Sequence, residues 1–341
     1  MKRLFDEAIF FTDIHYGLKR NSVEHNKDCN DFIRWMIEQA KERGIKTCFF
    51  LGDWHHNRHT LNIETLKYSW EGLKLLDEYF EKVYFIVGNH DLYYRDNREV
   101  HSLLFTDKLH NFVLIEEEFT EGDVTIYPWL VGNEWKKAKN CKSKYIFGHF
   151  ELPTFYLNAM VKMPDNNELK ADHFTNQKFV FTGHFHKRQR EGNVMYIGNA
   201  FPHDFNDLND DERGCMILKW DEEPEFYAWP DAPKYRHYTY DALVGNEDQL
   251  INMSKVHLKL EYNDNSVSNI KISSYRDEII EKYNLRSCRL IESHKQELFE
   301  GEEIEDAVAC DNVDNIVINQ IKTIESEEYD NNRLIRIYGE L

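Results

Sequence analysis

The sequence predicts an α/β fold, alternating strand and helix at first and then adding a second sheet, followed by a small α+β unit at the C-terminal side. Three observations point to it. Apolar runs that read as buried strands alternate with amphipathic helical stretches early in the chain. Strand-like runs then crowd together from Val124 onward. Finally, Pro230-Asp231-Ala232-Pro233 interrupts regular structure ahead of a short β-α-β pattern.

Each element has its own signal. Ala8 to Phe11 is the first strand. Ser22 caps a helix whose apolar stripe is Phe32, Ile33, Met36, Ile37 and Ala40, and Gly44 stops it. Ile45 to Leu51 is the next strand, and Thr60 starts a helix carrying Leu66, Leu73, Leu76 and Phe80. Val83 to Val87, Tyr145 to Phe147 and Phe179 to Phe181 follow as strands. The runs Val124–Trp129, Val194–Ile197, Cys215–Trp220 and Glu225–Trp229 suggest a second sheet. Beyond the two prolines, Val256, Leu258, Leu260 and Tyr262 alternate as a half-buried strand. A helix near Tyr275–Lys282 and a strand over Ser287–Ile291 complete the small unit. The expected division is therefore 1–230, 231–295 and 296–341, more than one compact core for 341 residues.

Composition excludes several classes. No apolar stretch approaches a membrane span. Lys2-Arg3 and the apolar run after them imitate a signal peptide, but Asp6 and Glu7 interrupt it. Six cysteines (29, 48, 141, 215, 288, 310) show no CxxC spacing, which suits reduced thiols in a cytoplasm. Acid gathers near the end: Glu297 to Asp330 holds twelve Asp and Glu, with Lys322 the only basic residue. There Val313, Ile316, Val317, Ile321 and Ile324 recur at helical spacing.

Chemistry is concentrated in five polar clusters: Asp13-Ile14-His15, Gly52-Asp53, Gly88-Asn89-His90-Asp91, Gly148-His149 and Gly183-His184-Phe185-His186. Most follow a strand-like run, and residues just past neighbouring strand ends converge in a folded sheet. In Asp13/His15 and His184/His186, the i, i+2 spacing turns both polar side chains to one side of extended chain. Glycines before Asp53, Asn89, His149 and His184 permit sharp turns or close approach. Singly, Asp13 and Asp53 suit helix N-caps, Asn89 and Asp91 suit a turn, and the histidines suit strand ends. Jointly, two Asp, one Asn and four His suit a pair of divalent ions such as Mn, Fe or Zn.

That ordered set resembles the signature of the calcineurin-like metallophosphoesterases. The resemblance implies an αββα sandwich with one ion held by Asp13, His15, Asp53 and His186. It implies a second ion held by Asp53, Asn89, His149 and His184, with Asp53 bridging. His90 would be the catalytic imidazole and His56 its partner. Within the superfamily, the chain looks most like the SbcD-type nucleases, the meiotic-recombination-eleven family, especially short phage versions. Trp54-His55-His56-Asn57-Arg58 after Gly-Asp carries that likeness, as does Tyr196-Ile197-Gly198-Asn199-Ala200-Phe201-Pro202 with Arg213-Gly214.

The nuclease likeness implies 3′-to-5′ double-strand exonuclease and single-strand endonuclease activity on DNA ends. It implies two ions, manganese first, with Fe, Mg or Zn as alternatives. It also implies a homodimer, an SbcC-type SMC-like ATPase partner and work in the cytoplasm of a bacterium or a phage-infected cell. The helix from Thr60 to Lys82 and the region Leu103–Phe105 are the expected dimer surface, 231–295 a cap that grips DNA, and 296–341 the ATPase dock. The alternatives are a phosphomonoesterase, a cyclic nucleotide phosphodiesterase or a non-catalytic scaffold.

Net charge opposes nucleic acid in sum, with 42 Lys and Arg against 61 Asp and Glu, or −19. Its distribution is different. Lys19, Arg20, Arg58, Arg95, Arg98, the lysines 136–144, Lys187, Arg188 and Arg190 flank the clusters, as a basic rim around the pocket would.

Overall fold

The computed structural model describes residues 3–157, 161–165, 167–263 and 267–293; the acidic segment 296–341 lies outside the described residues. The chain opens with β1 (Glu7–Phe11), a distorted single turn α1 (Leu18–Asn21), α2 (Val23–Arg43), β2 (Thr47–Phe50), α3 (Ile63–Tyr79) and β3 (Lys82–Ile86). There follow β4 (Phe112–Ile115), β5 (Phe119–Glu121), β6 (Val124–Ile126), α4 (Trp135–Asn140), β7 (Tyr145–His149) and β8 (Phe179–Gly183). Next come β9 (Gln189–Glu191), β10 (Val194–Tyr196), β11 (Gly214–Lys219), β12 (Glu225–Ala228) and β13 (Lys234–Thr239). The described chain closes with α5 (Tyr240–Leu243), β14 (Val256–Tyr262), α6 (Asn269–Tyr283) and β15 (Ser287–Glu292).

These strands form two six-stranded sheets, ordered β12-β11-β1-β2-β3-β4 and β5-β6-β7-β8-β10-β9, and one of three strands, β13-β14-β15. The first sheet is parallel from β1 to β4 and antiparallel at its β11 and β12 side, and the second has a parallel centre with both edge strands antiparallel. Strand alternation sorts the core into two layers. Ile9, Phe11, Cys48, Phe50, Val83 and Phe85 face α2 and α3, packing with Phe32, Met36, Leu73 and Leu76. Phe10, Phe49, Leu51, Tyr84 and Ile86 face the second sheet, meeting Val124, Phe147 and Phe181. The expected α/β sandwich is therefore present. The outer side of the second sheet packs on aromatic loop residues, as where Phe155 meets Tyr196 with 4.8 Å between ring centroids.

Several boundaries match their signals. The Ser22 side chain accepts from the His25 amide at the start of α2, and Gly44 ends that helix with φ 70°. Two expectations need correction. The helix expected from Thr60 starts at Ile63, because Asn62 caps it by accepting from the amides of Glu64 and Thr65. The runs at 215–220 and 225–229 do not join the second sheet; β11 pairs antiparallel with β1 in the first, placing Ile217 opposite Ile9. An isolated apolar strand carries no mark of which sheet edge it will meet.

The small sheet has its own apolar cluster, in which Leu243, Val256, Leu258, Leu260 and Ile272 are buried. Arg286 pairs with Asp28 on α2 through two hydrogen bonds of 2.5 and 2.9 Å, and Lys255 reaches the same carboxylate at 2.8 Å. Trp229 and Ala232, on either side of Pro230-Asp231, are buried in the helix-facing core.

Between the sheets Phe49 stacks on Phe10 and Tyr84, with 4.6 and 4.7 Å between centroids. Phe49→Ala is expected to cost about 3–5 kcal/mol in urea unfolding. A loss below about 1 kcal/mol would show that this layer repacks freely.

Candidate active site

Strands β1, β2, β3, β7 and β8 end at one edge of the two sheets, and all five polar clusters sit there. Backbone pairing continues past the ends of β1 and β2. The amides of Asp13, His15 and Tyr16 bond to the carbonyls of Gly52, Asp53 and Trp54 at 3.0, 3.2 and 2.8 Å. That ladder fixes the first two clusters against each other before any side chain is placed. Asp13, His15, Asp53 and His184 have φ of 49°, 50°, 62° and 94°, in the left-handed region that residues with a side chain seldom occupy. Such strain persists where the surroundings impose it and is common at functional sites.

Two groups of donors result. Asp13, His15 and His186 form one, and Asp53, His149 and His184 the other, with the donor atoms in each group within 4.8 Å of one another. A third triplet, His15, His56 and His90, adjoins the first. The Asn89 amide oxygen joins the second group, 2.9 Å from His149 Nε2 and 3.0 Å from His184 Nδ1. Asp53 spans both: its Oδ2 lies 3.7 Å from His15 Nε2 and 3.4 Å from His149 Nε2. The structure thus brings together all seven side chains that the sequence proposes as ligands.

Glycine makes the convergence possible. A Cβ on Gly88 would overlap the Asp53 carboxylate, and one on Gly52 would fall on the His149 ring. The outer ring nitrogens are also held. His149 Nδ1 donates to the Leu51 carbonyl at 2.7 Å, so its Nε2 is the nitrogen that faces the pocket. Glu151 lies 3.5 Å from His184 Nε2, leaving Nδ1 toward Asn89. Orienting partners of this kind are characteristic of metal-binding imidazoles.

Electrostatics describe a pocket built for cations. Asp13 and Asp53 are buried, and their ion pairs run to histidines. Burial alone would raise Asp53, but the imidazoles of His149, His90 and His15 hold it well below the usual carboxylate range. Burial lowers His149 and the Asp53 carboxylate more than reverses this, bringing it up to about 9. His15 is driven well below its ordinary value, by burial above all. His15 Nε2 and His186 Nε2 face each other at 3.3 Å. Two buried carboxylates, an amide oxygen and converging imidazoles fit a pair of divalent ions, whose binding displaces the ring protons.

His90 lies beside these groups. Its amide donates to Asp53 Oδ1 at 2.9 Å, and its Nδ1 donates to the main-chain carbonyl of His56 at 2.8 Å. The His56 and His90 rings lie nearly parallel, 5.4 Å apart. Orientation of His90 thus involves the His56 backbone, which no side-chain motif announces.

Asp91 is a further element that sequence reasoning treated only as a turn residue. It is fully buried and accepts from the amides of Gly88, Asp53, Trp54 and His55 at 2.9 to 3.1 Å. One carboxylate therefore ties the second cluster to the third. Trp54 and His55 are fully buried and both bond to Ser69, so they belong to the core; Tyr93 and Tyr94 are exposed. Part of the expected basic rim is taken up by acidic side chains. Arg98 forks onto Glu134, Lys144 meets Asp221, and Arg190 pairs with Glu223. Lys136, Lys137, Lys139 and Lys187 remain exposed.

A family model described as calcineurin-like phosphoesterase matches residues 8–188. Exonuclease subunit 1 of Enterobacteria phage T4 is 27% identical over 249 residues, spanning 69% of this chain and 72% of its own. A dimetal phosphatase from Danio rerio aligns at 13% identity and TM-score 0.41, over 65% of this chain and 96% of its own. The phosphoesterase YfcE from E. coli aligns at 15% identity and TM-score 0.34, over 63% and 89%.

Asp91→Ala removes the acceptor for four buried amides. We expect urea unfolding to show a loss above about 3 kcal/mol, since each stranded donor costs about 1–3 kcal/mol. A loss under about 1 kcal/mol would mean that water satisfies these amides equally well.

Proposed function

Because the chain belongs to the calcineurin-like phosphoesterase family, hydrolases of phosphoester bonds, we propose that it is a divalent-metal-dependent DNA nuclease acting on DNA ends. The observation that carries this reading is the Asp53 carboxylate, set between two donor groups with His90 against it. Likeness to a phage exonuclease subunit supports DNA as the phosphoester. In this reading Asp13, His15, Asp53 and His186 hold one ion, and Asp53, Asn89, His149 and His184 hold the other.

When bound, such a pair of ions acidifies water and takes up charge on the phosphate oxygens. The residues of the chain do the rest. Because Nδ1 of His90 gives its hydrogen to the His56 carbonyl, Nε2 is the atom left to carry a proton. In its charged form, Nε2 hands that proton to the departing sugar oxygen as the phosphorus–oxygen bond breaks. The products are a phosphate-ended and a hydroxyl-ended strand, and the neutral ring recovers a proton from water. Asp53 places His90 by accepting from its amide, so ion binding and proton delivery share one carboxylate.

The finer reading is 3′-to-5′ double-strand exonuclease with single-strand endonuclease activity, manganese in both sites and work in DNA repair and recombination. We assign the capping and grip of DNA to the three-stranded sheet, with the exposed Lys136, Lys137, Lys139 and Lys187 beside the backbone. A homodimer would use the outer face of α3, where Ile63 is 86% exposed, with the neighbouring Leu104 at 57%. An SMC-like ATPase would dock on 296–341.

The test is hydrolysis by the purified chain with Mn, on end-labelled duplex DNA beside para-nitrophenyl phosphate and a cyclic nucleotide. His90→Asn is expected to lower DNA cleavage about 10²–10⁴-fold while Mn stoichiometry by equilibrium dialysis is unchanged. Loss of Mn in that variant would make His90 a ligand instead. Turnover of the small esters alone would move the function to a phosphatase or cyclic phosphodiesterase.

A further inference from the structure

One buried histidine takes no part in the reading above. His203 is 2% exposed, and neither of its ring nitrogens has a hydrogen-bond partner. Its ring stands edge-on to two proposed ligands, with centroids 5.5 Å from His15 at 88° and 5.2 Å from His186 at 83°. His25 lies 5.5 Å away on the same side as His15, whose carbonyl it bonds. Nothing in the sequence pattern announces His203, which lies outside every cluster.

His15 has a matching vacancy. Its Nε2 faces Asp13, Asp53 and His186, whereas its Nδ1 is buried without a partner. Three unsatisfied ring nitrogens in neighbouring buried rings are unfavourable unless something joins them. His203 is not among the described residues whose donor atoms close on a common ion, so a role behind the ligands fits better than ligation. An imidazole that binds a metal through one nitrogen regularly donates from the other, and that partner fixes its tautomer and orientation.

On the two-ion reading, we infer that His203 is the positioning residue for His15: it accepts the Nδ1–H of His15 through one buried water beside the two rings. Such a water needs two or more polar partners, and His15 and His203 supply them. The His203 backbone is braced for this. Its amide donates to Asp207 at 2.8 Å, Asp207 is paired with the buried Arg213 at 3.0 Å, and its carbonyl accepts from the Tyr235 hydroxyl at 2.5 Å. Tyr235 lies on β13, so the small sheet helps to seat the residue that aims His15.

The experiment is calorimetric titration of the full chain with Mn(II). His203→Phe keeps an aromatic ring next to Phe201 but cannot hydrogen-bond. It is expected to bind one of the two ions about 10–100-fold more weakly with the other unaffected, at wild-type circular dichroism. His203→Gln, which retains an acceptor, is expected to recover most of that affinity. Wild-type affinity for both ions in the Phe variant would overturn the inference and make His203 packing alone. If the Phe variant does not fold, the wild-type chain loaded with Zn(II) decides by NMR. A His15 imidazole N–H protected from solvent exchange supports the water bridge, and a freely exchanging one overturns it. A wild-type chain that binds no ion would instead defeat the two-ion reading itself.

Discussion

The organisation of this protein follows from one buried carboxylate. Asp53 is 1% exposed and lies between His15 on one side and His149 on the other. A carboxylate taken out of water is costly unless cations or hydrogen bonds replace its hydration. The two sheets meet that demand together. The first delivers Asp13, His15 and Asn89, the second His149, His184 and His186, and no single sheet could surround Asp53. The same need explains the missing side chain at Gly88 and the left-handed backbone at Asp53 itself.

On the proposed reading, ion binding and proton delivery are coupled. His90 bonds through its amide to Asp53 and through its ring to the His56 carbonyl, so any shift of the Asp53 loop moves the imidazole. Asp91 holds that loop through four amides, the Asp53 amide among them, and so supports the placement of both groups. The small sheet reaches the same centre from outside, through Tyr235 to His203 and through Arg286 to Asp28 at the start of α2. On the inference drawn for His203, seating of that sheet and the aim of the His15 ring are linked.

Much of this is legible in the sequence because each feature leaves a local mark. Strand runs carry their apolar alternation, Ser22 and Gly44 bracket α2, and the donor clusters combine residue types that packing does not require. What escapes is what depends on partners distant in the chain. Asp91 reads as a turn residue because its acceptor role needs amides 36 to 38 residues away. The sheet chosen by β11 depends on an unpaired edge of β1, and the basic rim is thinned where Glu134, Asp221 and Glu223 take up Arg98, Lys144 and Arg190. His203 is invisible for the same reason: its neighbours are 17 and 188 positions away in sequence.

The central claim is that Asp53 joins two ions in one site. Electron paramagnetic resonance of the chain with two equivalents of Mn(II) tests it most directly. The account predicts an exchange-coupled spectrum from ions about 3.5–4 Å apart, reverting to isolated six-line signals in Asp53→Asn. Isolated six-line signals in the wild-type chain at two equivalents would contradict it.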